Sequence, residues 1–278
     1  MQTPDRFGTA VRSALELELP SLRPTAFRAR FRLSEESDAE DLVAIARRGS
    51  DGVILKAPHS PPVVEAVDGL AATGIPVVTF VTDLPFSRRV AYVGVDNRAA
   101  GATAAYLVTH WSGAAPGGVL VTLSSATFRG EEERGVGFRA TPRELSPTRS
   151  VVEVTDTDGL DSSMLRAVGE ALQADPSLDA VYSIGGGNTA TLAAFRAAGR
   201  TPAVLIAHDL DGDNRALLRR RQISAVLHHD LRADMRRACR SILQAEGALP
   251  GVPVSVPSQI HVVTPYNEPG ALAGADAW

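Results

Sequence analysis

Gly74-Ile-Pro-Val-Val-Thr-Phe-Val-Thr-Asp-Leu-Pro85 is followed, after Phe86 and Ser87, by Arg88-Arg-Val-Ala-Tyr-Val-Gly-Val-Asp-Asn-Arg-Ala-Ala-Gly101. Val77 to Val81 is a short apolar run entered through a proline, which reads as a buried parallel strand. It stops at Thr82 and Asp83, so a carboxylate falls just past the strand's carboxyl end. Ala91 to Val95 repeats the pattern and ends on Asp96 and Asn97. Asn97 is a good cap for a helix from about Arg98 to Trp111, rich in small residues and able to pack closely. In open α/β sheets, ligands bind at strand carboxyl ends and helix amino ends, and both polar clusters land there.

Strand and helix alternate outward from this stretch. Phe7, Val11, Ala14 and Leu15 have helical spacing, and Pro20 closes that helix. Phe27, Ala29, Phe31 and Leu33 alternate with arginines, the period of a strand with one wet face. Ser37-Asp-Ala-Glu40 opens a helix to Arg48; a strand at 52–57 and a helix at 61–73 lead into the central stretch. Beyond it come strands near 119–123, 151–155, 180–184, 204–207, 225–227 and 259–263. Helices between them carry Arg134, Met164, residues 189–198, 213–220 and 231–246. Such alternation requires right-handed crossovers and mostly parallel sheets.

The ordered series resembles the periplasmic-binding-protein-like (type I) effector domain of LacI-type transcriptional regulators. It is carried by Gly74-Ile-Pro-Val-Val-Thr79, Val93-Gly-Val-Asp-Asn-Arg-Ala-Ala-Gly101, Arg134-Gly-Val-Gly-Phe138, Ile184-Gly-Gly-Gly-Asn188 and Ala225-Val-Leu-His-His229. The resemblance implies an α/β fold of two Rossmann-like lobes joined by three hinge crossings, near Asp96, Asp230 and Pro257. One lobe would comprise residues 1–96 with 231–256, the other 97–229 with 258–278. The family places a strand before the first helix; Met1 to Phe7 is too short and polar for one, and leaves no room for a helix-turn-helix headpiece.

Composition is that of an ordinary globular protein: 278 residues, 44% hydrophobic, 22% charged, formal net charge −4. That charge gives this segment no reason to contact nucleic acid or membrane. Cys239, the single cysteine, excludes an internal disulfide. The amino end lacks the apolar core of a signal peptide, and no run approaches the roughly 20 apolar residues of a membrane helix. A cytoplasmic chain is expected.

The expected ligand-binding residues are Asp83, Arg129, Asn188, Asp209 and His229. Asp83 follows a strand where turn aspartates are also common. By resemblance an arginine on the loop 124–138 reaches the cleft; the usual position falls on Glu132, so Arg129 substitutes and Arg134 braces the loop. Gly185-Gly-Gly-Asn188 has neither dinucleotide nor Walker spacing; the resemblance implies that backbone there approaches a ligand, with Asn188 as donor and acceptor, against the plainer reading of Asn188 as a helix cap. Asp209 matches the family's cleft aspartate. His208-Asp-Leu-Asp-Gly-Asp-Asn214 fails the calcium-loop pattern, since Asn214 and Arg220 stand where glycine and glutamate are required. His229 occupies a cleft position commonly held by glutamine. The arginines of 219–221 and 232–240 read as a solvated surface.

Three functions compete. The resemblance implies an effector-sensing LacI-type domain that binds a sugar or polyol without cofactor or metal and closes like a hinge. It would pair as a homodimer through helices near 61–73 and 213–220, touching DNA only through a headpiece absent here. The alternative is a periplasmic sugar-binding protein of an ABC transporter. An enzyme is not expected, since no nucleophile elbow or cofactor fingerprint is present.

Overall fold

A computed structural model of the chain describes residues 6–22, 28–30, 38–113, 117–124, 128–141, 149–155 and 161–269. The first group of elements is α1 (Arg6–Glu18), α2 (Asp38–Arg48), β1 (Val53–Leu55), α3 (Pro61–Ala72), β2 (Val77–Phe80) and β3 (Ala91–Val93). The second runs α4 (Asn97–Trp111), β4 (Gly118–Thr122), α5 (Arg129–Ala140), β5 (Ser150–Val154), α6 (Asp161–Ala174), β6 (Leu178–Ser183), α7 (Asn188–Ala197), β7 (Val204–His208), α8 (Gly212–Arg219) and β8 (Ala225–His228). Then α9 (Leu231–Ala245) and β9 (His261–Val263) follow.

Two sheets result. One has the order β1-β2-β3, all parallel; the other has β5-β4-β6-β7-β8-β9, parallel except that β9 lies antiparallel on β8. Helices α1 and α9 cover one face of the smaller sheet, through Ala14, Leu15, Met235, Ala238 and Ile242. Helices α2 and α3 cover the other, through Leu42, Val63, Val67 and Leu70. The larger sheet is likewise buried on both faces. The chain passes between sheets three times: after β3, between β8 and α9, and between α9 and β9. None of the described helices is long and apolar enough to cross a membrane.

Several local expectations need correction. Residues 28–30 are exposed and irregular rather than strand, and the rest of the alternating 27–33 segment lies outside the described residues. Asp96, not Asn97, caps α4 by accepting from the Ala99 amide at 2.9 Å, because Asp96 is the residue in extended backbone just before the helix and Asn97 already lies inside it. Glu268, beyond β9, accepts from Arg215 at 2.7 Å and Arg219 at 2.9 Å, so part of the α8 face expected to pair is occupied by this chain's own residues. Nor are the arginines of α9 merely solvated, since Arg232 and Arg236 neutralise the fully buried Glu18.

The strands differ in how completely they are covered, the edge strands β1, β5 and β9 less than the central ones. Val53 and Ile54 of β1 are half-buried, whereas β4 and β7 are buried at every residue. Local opening follows buried contact, so the amides of Val53 and Ile54 are expected to exchange with deuterium faster than those of Val121 and Leu205. Equal protection in a hydrogen-exchange experiment would show β1 to be as stable as the central strands.

Candidate functional site

The strands' carboxyl ends meet where the sheets approach. Gly130 N–H donates to Thr82 Oγ1 across the gap at 3.1 Å, and Lys56 Nζ lies 4.7 Å above the Phe128 ring. Two residues at these strand ends are held at positive φ without being glycine: Val81 at 66° after β2, and Asp209 at 63° after β7. Such strain persists only where surrounding structure over-determines it, and it clusters at functional sites.

At Asp209 the restraint is visible. Asn214 Nδ2 donates to the carbonyls of His208 and Asp209, at 2.9 and 2.8 Å, while Asn188 Nδ2 donates to Asn214 Oδ1 at 2.7 Å. Asp211, rather than Asp209, caps α8 through the Asn214 amide. The Asp209 carboxylate is therefore released from local duty; its side chain is 27% exposed and stands 3.9 Å from His229 Nε2. His229 is 2% exposed, its Nδ1–H is taken by the Asp234 carboxylate, and its Nε2 has no partner. Asn188 Oδ1 is a second buried acceptor without a partner. Such groups are costly unless something satisfies them.

A narrow crevice opens beside this pair, lined by Val95, Ala100, Arg134, His208, Leu227, His228, His229 and Ile260. Burial, with His229 nearby, pulls His228 down to about 4, and burial holds His208 well below the usual imidazole range. Both are neutral at pH 7; His208 Nε2 sits 2.7 Å from the Tyr182 hydroxyl, and His228 Nδ1 accepts from the Leu210 amide. Asp234 stays ionised: burial works against it, but hydrogen bonds from His229, Ser258 and Arg237 hold its carboxyl below the ordinary value.

The structure thus brings Asp209, His229 and, through Asn214, Asn188 together. The other two expected residues stand apart from them. Asp83 has its oxygens filled by a two-pronged Arg89 contact, the Thr79 hydroxyl and the Leu84 amide. Its carboxylate is engaged as an ion pair with Arg89 and is not bare. Arg129 opens α5 and pairs with Glu133 at 3.0 Å. The arginine that lines the crevice is Arg134, which is buried and donates to Asn97 Oδ1 at 2.8 Å and the Ile184 carbonyl at 3.2 Å. It braces, as the sequence suggests, yet also faces the histidines.

Sequence reasoning passes over Glu131, which accepts from the Ser124 amide and hydroxyl, at 3.0 and 2.6 Å. A Cβ at Gly185 would collide with that carboxylate. This contact lies between the ends of β4 and β6, where the strand order reverses. Among the described residues no group of three or more His, Cys, Asp or Glu could hold a metal ion. What remains is a narrow crevice in which Val95, Ala100, Leu227 and Ile260 stand beside Arg134 and three histidines, next to the Asp209 carboxylate.

Residues 33–247 match a sequence profile described as a periplasmic binding protein domain. Solved structures agree over nearly their whole length. GanP, a glucose-galactose binding protein from Geobacillus stearothermophilus, superposes with a TM-score of 0.84 at 20% identity, covering 96% of this chain and 95% of that one. An ABC transporter periplasmic solute binding protein from Actinobacillus succinogenes 130z, with bound D-allose, gives 0.82 at 16% identity, covering 95% of each chain. A provisionally identified LacI transcriptional regulator from Bacteroides fragilis gives 0.81 at 15% identity, covering 94% and 93%. No curated protein sequence matches the chain.

Proposed function

We propose, from the premise that this chain belongs to the periplasmic binding protein domain family, that it captures a monosaccharide or similar polyol between its two sheets. The observation that carries this reading is the Asp209–His229 pair: a strained, part-exposed carboxylate facing a buried imidazole nitrogen that has no partner. An ionised carboxylate accepts hydrogen bonds from adjacent hydroxyls, and the unpartnered Nε2 offers one more hydrogen-bonding position. Arg134 and Asn188 supply the complementary donors and acceptors. Binding across the gap between Thr82 and Gly130 favours the closed arrangement, as differential affinity for one state must.

The sugar-binding component of a transporter is the role better supported, since most of the similar structures are described as sugar- or solute-binding proteins. The effector-binding domain of a LacI-type regulator is the second reading, favoured by the Bacteroides fragilis structure. That role would require a homodimer and a DNA-binding headpiece. Either role is one of binding, not catalysis.

D-Glucose, D-galactose and D-allose are the probes that the relatives suggest. At 100 times the dissociation constant, a bound ligand stabilises by about 2.7 kcal/mol. For a chain of this size that raises the melting midpoint by on the order of 5 °C. We expect such a shift from at least one of the three sugars, and none from the non-cyclic, uncharged control ethylene glycol. Identical melting curves with and without every sugar would overturn the monosaccharide reading.

A further inference from the structure

Asp234 is 1% exposed, lies in the first turn of α9, and stands behind His229 rather than in the crevice lining. Its two oxygens gather groups from separate stretches of chain. Oδ2 takes the Nδ1–H of His229; Oδ1 takes the Ser258 hydroxyl at 2.7 Å and the Arg237 guanidinium at 2.5 Å. Ser258 in turn donates its amide to the Gly94 carbonyl at 2.8 Å and forms a bridge with Val95. Arg237 also donates to the Val256 carbonyl at 3.0 Å. The three stretches are those by which the chain passes between its sheets: 94–96, 229–231 and 256–258. One carboxylate ties all three, and the other end of the imidazole it holds faces Asp209 and the crevice with no partner.

We propose that Asp234 is a positioning residue that fixes the tautomer of His229, keeping Nε2 a bare acceptor for a ligand hydroxyl and linking its occupancy to the three crossings. The proposal deepens the sugar-binding reading and rests on it for the identity of the ligand. A neutral imidazole whose Nδ1–H is held by a carboxylate has its lone pair on Nε2, and the bond on one nitrogen sets what the other can do. A hydroxyl donating to Nε2 polarises the ring and strengthens the Nδ1–H···Asp234 bond, since hydrogen bonds in a chain reinforce one another. The crossings then stiffen together. Ser258 and Arg237 carry that effect to residues 94–96 and 256–258.

The test combines a spectrum with a double-mutant cycle. In protein carrying 15N-labelled histidine at neutral pH, His229 is expected as the Nδ1–H tautomer, and Asp234→Asn is expected to shift it towards Nε2–H. In the same variant the amides of Val95 and Ser258 exchange faster than in wild type. Titrating D-glucose, D-galactose and D-allose, Asp234→Asn weakens the sugar that binds by about tenfold. In a His229→Gln background, whose amide has no tautomer to fix, Asp234→Asn weakens it by less than about twofold. An Asp234 that merely supports the fold would cost the same in both backgrounds, and that result overturns the proposal. So does an unchanged His229 tautomer in Asp234→Asn. Should Asp234→Asn fail to fold, Ser258→Ala replaces it: faster exchange at Val95 with the Nδ1–H tautomer retained supports the link, and unchanged exchange refutes it. If none of the sugars binds wild type, the sugar reading fails while the spectrum still decides the role of Asp234.

Discussion

Gly101→Ala is expected to destabilise the protein by about 3 kcal/mol, near the upper end for overpacking. A Cβ at Gly101 would land within the Arg134 carbonyl, and one at Gly137 within the Arg98 carbonyl. Both obstacles are backbone, so no side chain can swing aside and the α4–α5 pair must separate. The small residues Ala100, Ala104 and Ala105 beside Gly101 show why α4 is built to lie that close. The consequence reaches the site, because Asn97 starts α4 and holds Arg134 of α5. Gly69→Ala, in α3 with nothing near its added Cβ, is the control. It should raise stability by about 0.5–1 kcal/mol, by relieving the entropy cost of a helical glycine. Chemical denaturation of both variants decides the matter. Equal midpoints for Gly101→Ala and wild type would mean the two helices are not in backbone contact.

The second large effect is on binding. Removing one charged partner of a buried polar contact costs roughly 2–5 kcal/mol, or about 30-fold or more in affinity. Asp209→Asn is the cleaner substitution. Asparagine tolerates the left-handed backbone at this position, and the two Asn214 bonds go to main-chain carbonyls and survive. Any loss then belongs to the charge. Arg220→Ala, at the exposed carboxyl cap of α8, should bind as wild type does.

The periodic and punctuated parts of this chain were legible without coordinates. Short apolar runs closed by polar pairs, such as Val77–Val81 before Thr82 and Asp83, can be little other than parallel strands in an α/β sheet. The small-residue face of α4 announced a close neighbour, although not that the neighbour would be a carbonyl. Local signals failed where two elements competed for one role. Asp96 and Asn97 are both good caps, and only the backbone turn at Asp96 decides between them; Asn97 then turns inward to Arg134. The candidate site was half legible. Asp209, Asn188 and His229 could be placed by their order after strands. Arg89 neutralising Asp83, Asp234 holding His229 and Asn214 bracing Asp209 are contacts between residues whose pairing no spacing encodes. Arg134 was underrated because bracing and lining a crevice look the same in sequence.

The claim at the centre of this account is that a sugar is held at Asp209 and His229. Calorimetric titration of D-glucose, D-galactose and D-allose into wild type and Asp209→Asn tests it most directly. The account predicts saturable binding of at least one sugar to wild type, weakened about 30-fold or more by the substitution. Equal affinity in the two proteins, or no heat of binding from any of the three with wild type, would contradict it.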